Sequence, residues 1–279
     1  AACGPAGLEP DDPIDCERCA EWNEPREPFR VHGNTWYVGT YGLSSILLET
    51  EDGLILIDGG LPQTAAVIEA NVLALGFDPL NIKAILVSHA HFDHAGGVAA
   101  LQKLTRANVF TSEAGLETLS SGKLVEGDPQ DVADSDSGSF PAIENVAAVG
   151  DGEFVSVGSV NVKAVYTPGH TKGSVTWTWE SCALNTCLDV VYADSLTAVS
   201  AEGFSFAASG AAELMVESAG KIADLRCDIL LSPHPFFFGM HDKLERRDKG
   251  NPFVNSLGCT FYAETSLGWL EQRLEAERR

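Results

Sequence analysis

Short runs of alternating hydrophobic and polar positions fill both halves of the chain, with stretches of helical spacing between them. Residues 35–38, 44–49 and 54–58 read as strands, the last ending in Gly59-Gly60. Over 63–75 the apolar side chains of Ala66, Ile68, Val72 and Leu75 can share one helix face. A continuous apolar run at 84–87 predicts a buried strand that leads directly into Ser88-His89. A helix at 97–104, a strand at 108–111 and a helix at 113–119 follow, and the Gly-, Pro- and Asp-rich stretch 121–145 predicts a long surface loop. The second half is β-rich, with strands at 154–157, 160–166, 174–180 and 189–192. A helix at 211–225, a strand at 228–231 and a closing amphipathic helix at 262–277 complete it. Strands followed by helices, twice over, suit an α/β fold of two mixed β-sheets packed face to face and flanked by helices, a four-layer αβ/βα sandwich. Residues 1–30, rich in Pro, Asp and Glu, are expected to form an acidic leader packed on a single domain of residues 31–279, and no short tandem repeat interrupts that domain.

Composition changes this picture in two places. Of the 279 residues 44% are hydrophobic and 21% charged, an ordinary globular balance, and no apolar run approaches the roughly 18 residues a membrane span needs. The start carries neither a basic nor an apolar targeting stretch and reads as that of a trimmed protein. The net charge of -22 argues against nucleic acid as a partner, because polyanion binding draws on clustered Lys and Arg, and it predicts a soluble, self-repelling surface. Seven cysteines bear on the compartment. Cys182 and Cys187 lie close together between two strand-like runs, Cys227 precedes a strand, Cys259 opens the last helix, and Cys16 and Cys19 sit in the leader. None falls among the histidine motifs, so disulfides are expected and with them a periplasmic or secreted protein. A Cys227–Cys259 bridge would close a long loop. The pairing of Cys16, Cys19 and Cys3 stays open; Cys3, the odd one out of three pairs, follows Ala1-Ala2 as a lipid-attachment cysteine would.

The chemistry gathers in His89-Ala90-His91-Phe92-Asp93-His94, immediately after a buried strand. His89 and His91, two apart, can point to one side of an extended segment, while Asp93 and His94 follow where the chain bends away. Imidazole nitrogen and carboxylate oxygen are donors that zinc prefers. His170, in Thr-Pro-Gly-His-Thr, and His234, in Ser-Pro-His-Pro, end later strand runs and can meet the same rim. Two triads result: His89, His91 and His170, and Asp93, His94 and His234. Three protein ligands per zinc leave an open position, the mark of a catalytic site. His32 and His241 lack such surroundings and read as structural. Phe236, Phe237 and Phe238 read as core packing, with pocket lining as the alternative.

These residues resemble the signature of the metallo-β-lactamase superfamily, and from about Asn34 onward the chain resembles the third subclass of class B β-lactamases. The resemblance is carried by Gly33-Asn34-Thr35-Trp36-Tyr37-Val38-Gly39-Thr40, His91-Phe92-Asp93-His94-Ala95-Gly96, Trp177-Thr178-Trp179, Tyr192-Ala193-Asp194-Ser195-Leu196-Thr197 and Cys227-Asp228-Ile229-Leu230-Leu231-Ser232-Pro233-His234-Pro235. It implies two Zn2+ ions per chain and hydrolysis of penicillins, cephalosporins and carbapenems by a zinc-bound hydroxide, which confers antibiotic resistance. It further implies a monomer acting on a small-molecule β-lactam, with catalytic roles for Asp93, His94 and Ser195 and substrate contacts from Ser195 and Thr197. Where other subclasses carry a zinc-binding Cys this one has Ser195. Lactonases and thioesterases of the superfamily instead place a metal-bridging Asp there, and Asp194 is one residue away, so a lactonase or thioesterase is the alternative. Tyr41 and the 121–145 loop are further candidates to contact the substrate.

Overall fold

The alternation in the first half of the chain builds a seven-stranded sheet whose strands follow chain order: β1 (Phe29–His32), β2 (Thr35–Tyr37), β3 (Ile46–Thr50), β4 (Gly53–Ile57), β5 (Ile82–Leu86), β6 (Asn108–Thr111) and β7 (Val146–Ala148). The structure, a computed structural model, describes residues 7–132 and 135–279; Cys3 and its expected lipid attachment lie outside them. Strands β1 to β4 pair antiparallel, and β4 to β7 pair parallel. The second sheet holds β8 (Phe154–Val157), β9 (Val160–Tyr166), β10 (Val175–Ala183), β11 (Thr186–Tyr192) and β12 (Ile229–Leu231) in the order β12-β11-β10-β9-β8.

Side chains two apart share a sheet face, and this separates two cores. Ile46, Leu48, Ile55 and Ile57 face the second sheet and pack with Trp177, Trp179, Val190 and Tyr192. Leu47, Leu54 and Leu56 face the other way, onto α2 (Thr64–Ala74) and α4 (Val98–Thr105) through Ala65, Ile68, Val72, Val98 and Leu101. On the far side of the second sheet lie α7 (Ala211–Ala223) and α9 (Gly258–Glu277), which contribute Met215, Ile222, Tyr262 and Leu270. The layers are therefore helix, sheet, sheet, helix, as the sequence pattern predicts.

The short elements are the ones the pattern does not reveal. Helices α1 (Cys19–Trp22), α3 (Phe92–Ala95), α6 (Phe206–Ser209) and α8 (Met240–Leu244) span four or five residues each, too few for a periodic signal. The helix expected at 113–119 divides into a 3-10 turn at Glu113–Gly115 and α5 (Leu116–Ser121). Strand β1 starts inside the stretch read as leader, and Phe29 stacks on Tyr37 with ring centroids 5.1 Å apart. The stretch 121–145 is a loop but not merely a surface one: Phe140 and Ile143 are buried with Leu119, and Asp128 is buried too. Among the described residues, three disulfides close the chain on itself, Cys16–Cys19, Cys182–Cys187 and Cys227–Cys259.

Candidate metal centre

Strand direction brings the histidines to one rim. Strands β9 and β11 both run antiparallel to β10, so they point the same way, and β12 runs parallel to β11. The loops after β9, β11 and β12 thus leave the second sheet on one edge, carrying His170, Asp194-Ser195 and His234. The loop after β5 joins them from the first sheet, and Val175 N–H donates to the Ser88 carbonyl at 2.8 Å to tie the two sheets there. His91 is extended (φ -100°, ψ 155°) at the start of α3, whose first turn carries Asp93 and His94. Gly169, at φ 140°, turns the chain into His170; a Cβ there would meet Met215 Cγ at 2.4 Å, so only glycine fits.

Four of the five rim imidazoles, all but His94, are gripped on one nitrogen, which leaves the other for a ligand. His89 Nδ1 donates to Asp194 Oδ1 at 2.7 Å, while its Nε2 is buried without a hydrogen-bond partner. His91 Nε2 donates to Asp128 at 3.1 Å, which turns Nδ1 inward, and the Gln130 amide lies 3.3 Å from that nitrogen. His170 Nδ1 donates to the Thr197 carbonyl at 2.8 Å. The three rings stand 4.7, 4.8 and 4.9 Å apart, with ligand atoms all within 4.8 Å of one another. In the second set, His94 Nε2 and His234 Nε2 approach Asp93 Oδ2 at 3.2 and 3.4 Å, and His234 Nδ1 donates to the Gly42 carbonyl at 3.1 Å. His89 also lies within 4.8 Å of Asp93 and His94, but its single unengaged nitrogen can serve only one set.

Burial and the neighbouring charges together set the protonation states. Burial holds His89 well below the usual imidazole range, aided by His94 and His91, and brings His170 down to about 3. His234 is lowered for the same reason. Burial alone would raise Asp93, but the His94 and His234 imidazoles outweigh it and hold the carboxyl well below its usual range. Burial would likewise lower His94, and Asp93 reverses that. His89, His170 and His234 thus favour the neutral form and Asp93 the ionised form that a divalent ion requires, while His94, raised by Asp93, would give up its proton on binding. Below them, buried Asp58 (φ 59°, a left-handed conformation uncommon outside glycine) accepts from Ser88 N–H, Ser88 Oγ–H and Tyr192 O–H, each at 2.7 Å. Burial raises its carboxyl to about 6.

The rim opens into a cleft of about 470 Å³ whose walls include Trp22, Gln130, Ser195, Thr197, Phe236 and Trp269. The Ser195 hydroxyl is buried there with no partner. Thr197 lines the cleft, and its carbonyl and hydroxyl both face His170 Nδ1, at 2.8 and 3.2 Å. Asp194 sits behind the His89 ring, on the nitrogen away from the unengaged one. Phe238 packs in the core as expected, whereas Phe236 and Phe237 line the cleft, because the 3-10 turn Pro235–Phe238 points them back over His234. Tyr41 stays outside the lining and stacks on His241 with centroids 4.1 Å apart. A larger depression of about 890 Å³, around Asn34, Glu51, Glu180 and Arg226, contains no histidine. The residues not anticipated are Asp128, Gln130, Gly42, Asp58, Arg18 and Trp22. Only a Trp in a polar leader carried any signal in the sequence.

Comparison with known proteins agrees with this geometry. The family model described as metallo-beta-lactamase superfamily matches residues 38–234. The Rm3 metallo-beta-lactamase superposes with a TM-score of 0.92 at 41% identity, over 95% of this chain and 100% of that one. MEM-A1, a subclass B3 metallo-beta-lactamase isolated from a soil metagenome library, gives 0.89 at 40% identity, over 92% and 98%. Among curated proteins, an N-acyl homoserine lactonase from Bacillus sp is 29% identical over 154 residues, 46% of this chain and 54% of that protein, so the chain spans about half the length of that relative.

Proposed function

The chain belongs to the metallo-beta-lactamase superfamily and resembles its subclass B3 members throughout, and from that premise we propose that it is a two-zinc hydrolase that opens the β-lactam amide of penicillins, cephalosporins and carbapenems. The observation that carries the proposal is the donor set: six side chains from three loops, each histidine but His94 gripped on its outer nitrogen, with a buried unpartnered Nε2 on His89. These residues fit the metal, since imidazoles and one carboxylate in two groups of three match the donors of catalytic zinc, which would keep an open position on each ion. His89, His91 and His170 would hold one ion; Asp93, His94 and His234 the other. Bound zinc supplies Lewis acidity toward the reacting carbonyl and lowers the pKa of water to about 7.

The chain's own residues do the rest. Asp93, kept ionised, accepts a hydrogen bond from the attacking water and orients it. The Ser195 hydroxyl donates to the substrate or to site water, and Thr197 supports the same wall while fixing the His170 ring. Trp22, Phe236, Phe237 and Trp269 shield the reacting bond from bulk water and offer apolar contact. The same reading makes the protein a monomer that confers antibiotic resistance from the periplasm or outside the cell, where three disulfides persist. No described helix is long and apolar enough to cross a membrane.

The test is loss of carbapenem absorbance with zinc-loaded protein, with and without a chelator. Rapid turnover abolished by the chelator is expected, and His170→Ala or His234→Ala should remove most of it while the thermal melt stays cooperative. A lactone substrate is the second reading, favoured by the match to the Bacillus lactonase. Zinc-replete protein that opens a homoserine lactone and leaves the carbapenem intact would select it, and no turnover of either would reduce the protein to a metal binder.

A further inference from the structure

The N-terminal segment forms part of the catalytic cleft. Trp22 and Arg18 both line it; the Trp22 ring is tilted 48° against His234 with centroids 5.2 Å apart, and the Arg18 guanidinium carbon lies 5.4 Å from the Trp22 ring centre. The placement is fixed by backbone. Gly42 N–H donates to the Trp22 carbonyl at 3.1 Å, Thr40 Oγ–H donates to it at 2.6 Å, and the Gly42 carbonyl accepts from His234 Nδ1. A Cβ on Gly42 would meet Trp22 Cα at 2.7 Å, so the residue that holds the His234 ring is also the seat of Trp22. Trp22 N–H donates to the Arg18 carbonyl at 2.8 Å, the Cys16–Cys19 disulfide brackets Arg18, and Cys19 is buried with Leu43 and Leu61 beside Phe92 of the histidine motif.

Charge makes this wall selective. Among the described residues lining the cleft, Arg18 is the one with a permanent positive charge, in a chain whose net charge of -22 otherwise repels anions. Its Nε–H and one Nη–H donate to Glu21 at 3.3 and 3.2 Å, and a guanidinium carries five N–H donors, so donors remain for a third partner. We infer that Arg18 binds the carboxylate of the substrate and so selects anionic β-lactams. This inference rests on the β-lactam reading above. In such a substrate the carboxylate sits on the carbon bonded to the ring nitrogen. With the reacting carbonyl toward His89, His91 and His170, the nitrogen and its neighbouring carboxylate face the Asp93, His94 and His234 side, where Trp22 and Arg18 stand.

The test compares one β-lactam as the free acid and as its methyl ester, on zinc-loaded wild type, Arg18→Ala, Arg18→Lys and Glu21→Gln. Arg18→Ala should lower kcat/KM for the acid roughly three- to ten-fold, mostly through KM, and so narrow the preference for acid over ester. Arg18→Lys should restore part of it, and Glu21→Gln, which removes the competing carboxylate, should shift the preference the opposite way. Added salt should erode the wild-type preference and leave that of Arg18→Ala flat. Equal losses on acid and ester, with a normal melt, would overturn the assignment and leave Arg18 a packing partner of Trp22. If wild type opens neither compound, the underlying β-lactam reading fails, and this inference with it.

Discussion

Asp128 reaches His91 from the middle of a loop, and Asp194 reaches His89 from the end of a strand. Thr197 and Gly42 do the same for His170 and His234 with main-chain carbonyls. Such partners fix the tautomer and the ring angle, and losing one typically costs about 10- to 100-fold in metal affinity or activity. The two carboxylates differ in setting. Burial raises Asp194, whereas at Asp128 the His91 ring outweighs burial and lowers the carboxyl. On the two-zinc reading, Asp128→Asn should weaken zinc at the first set about ten-fold, because an amide can turn its NH2 toward His91 and disfavour the Nε2–H tautomer. Competition with a chromogenic chelator measures this, and unchanged affinity would show that Asp128 only packs the loop. Asp128 is silent in the sequence because a lone Asp among many in a polar stretch has no period and no motif. Its meaning comes from the fold of 121–145 across the rim.

At the scale of elements, the end of the last helix holds the start of a short one. Glu277 of α9 accepts from the N–H groups of Phe206 and Ala207, from the Ser205 hydroxyl and from Arg273. Burial alone would raise its carboxyl; the Arg273 hydrogen bond and these donors bring it down to about 2. A folded value below the ordinary 4.5 contributes stability that is complete above 4.5 and is lost as pH falls toward 2. Glu277→Gln should cost about 1 kcal/mol at pH 7, since the charge-assisted bonds lie near solvent and are partly screened. The gap between variant and wild type in denaturant midpoints should close between pH 4.5 and about 2. A gap constant through that window would assign the loss to packing. The long helix α9 is legible in the sequence, but α6 is not, because four residues give no periodic signal and two of their free N–H groups are taken by a distant carboxylate, the next being capped by Ser205.

For the whole molecule, the bridges differ in what they constrain. Cys227–Cys259 spans 32 residues and links the approach to β12 with the start of α9, whereas Cys182–Cys187 spans 5 within one hairpin. In the chain-entropy model the first contributes about 3–4 kcal/mol and the second about 2. A Cys227→Ala/Cys259→Ala variant should unfold at distinctly lower denaturant than Cys182→Ala/Cys187→Ala, with the difference vanishing under reducing conditions. Equal midpoints would show that loop length is not what matters here. The sequence by itself determined the long elements, the two-sided sheets and the candidate metal donors, because hydrophobic patterning and clustered histidines are local signals. Ile46, Leu47 and Leu48 are apolar on both faces of β3 and so serve both cores, and the His89–His94 run directly after a buried strand stands out in the sequence. Tertiary structure alone decided the rest. It turned Phe236 and Phe237 toward the cleft, gave Asp128, Gly42 and Asp58 their partners, and laid Trp22 beside His234 with Arg18 over the Trp22 ring. Apart from the turn of Phe236 and Phe237 over His234 and the Arg18–Trp22 contact, those contacts join residues about 20 to about 210 positions apart, and at such separations no local pattern encodes which surfaces will meet.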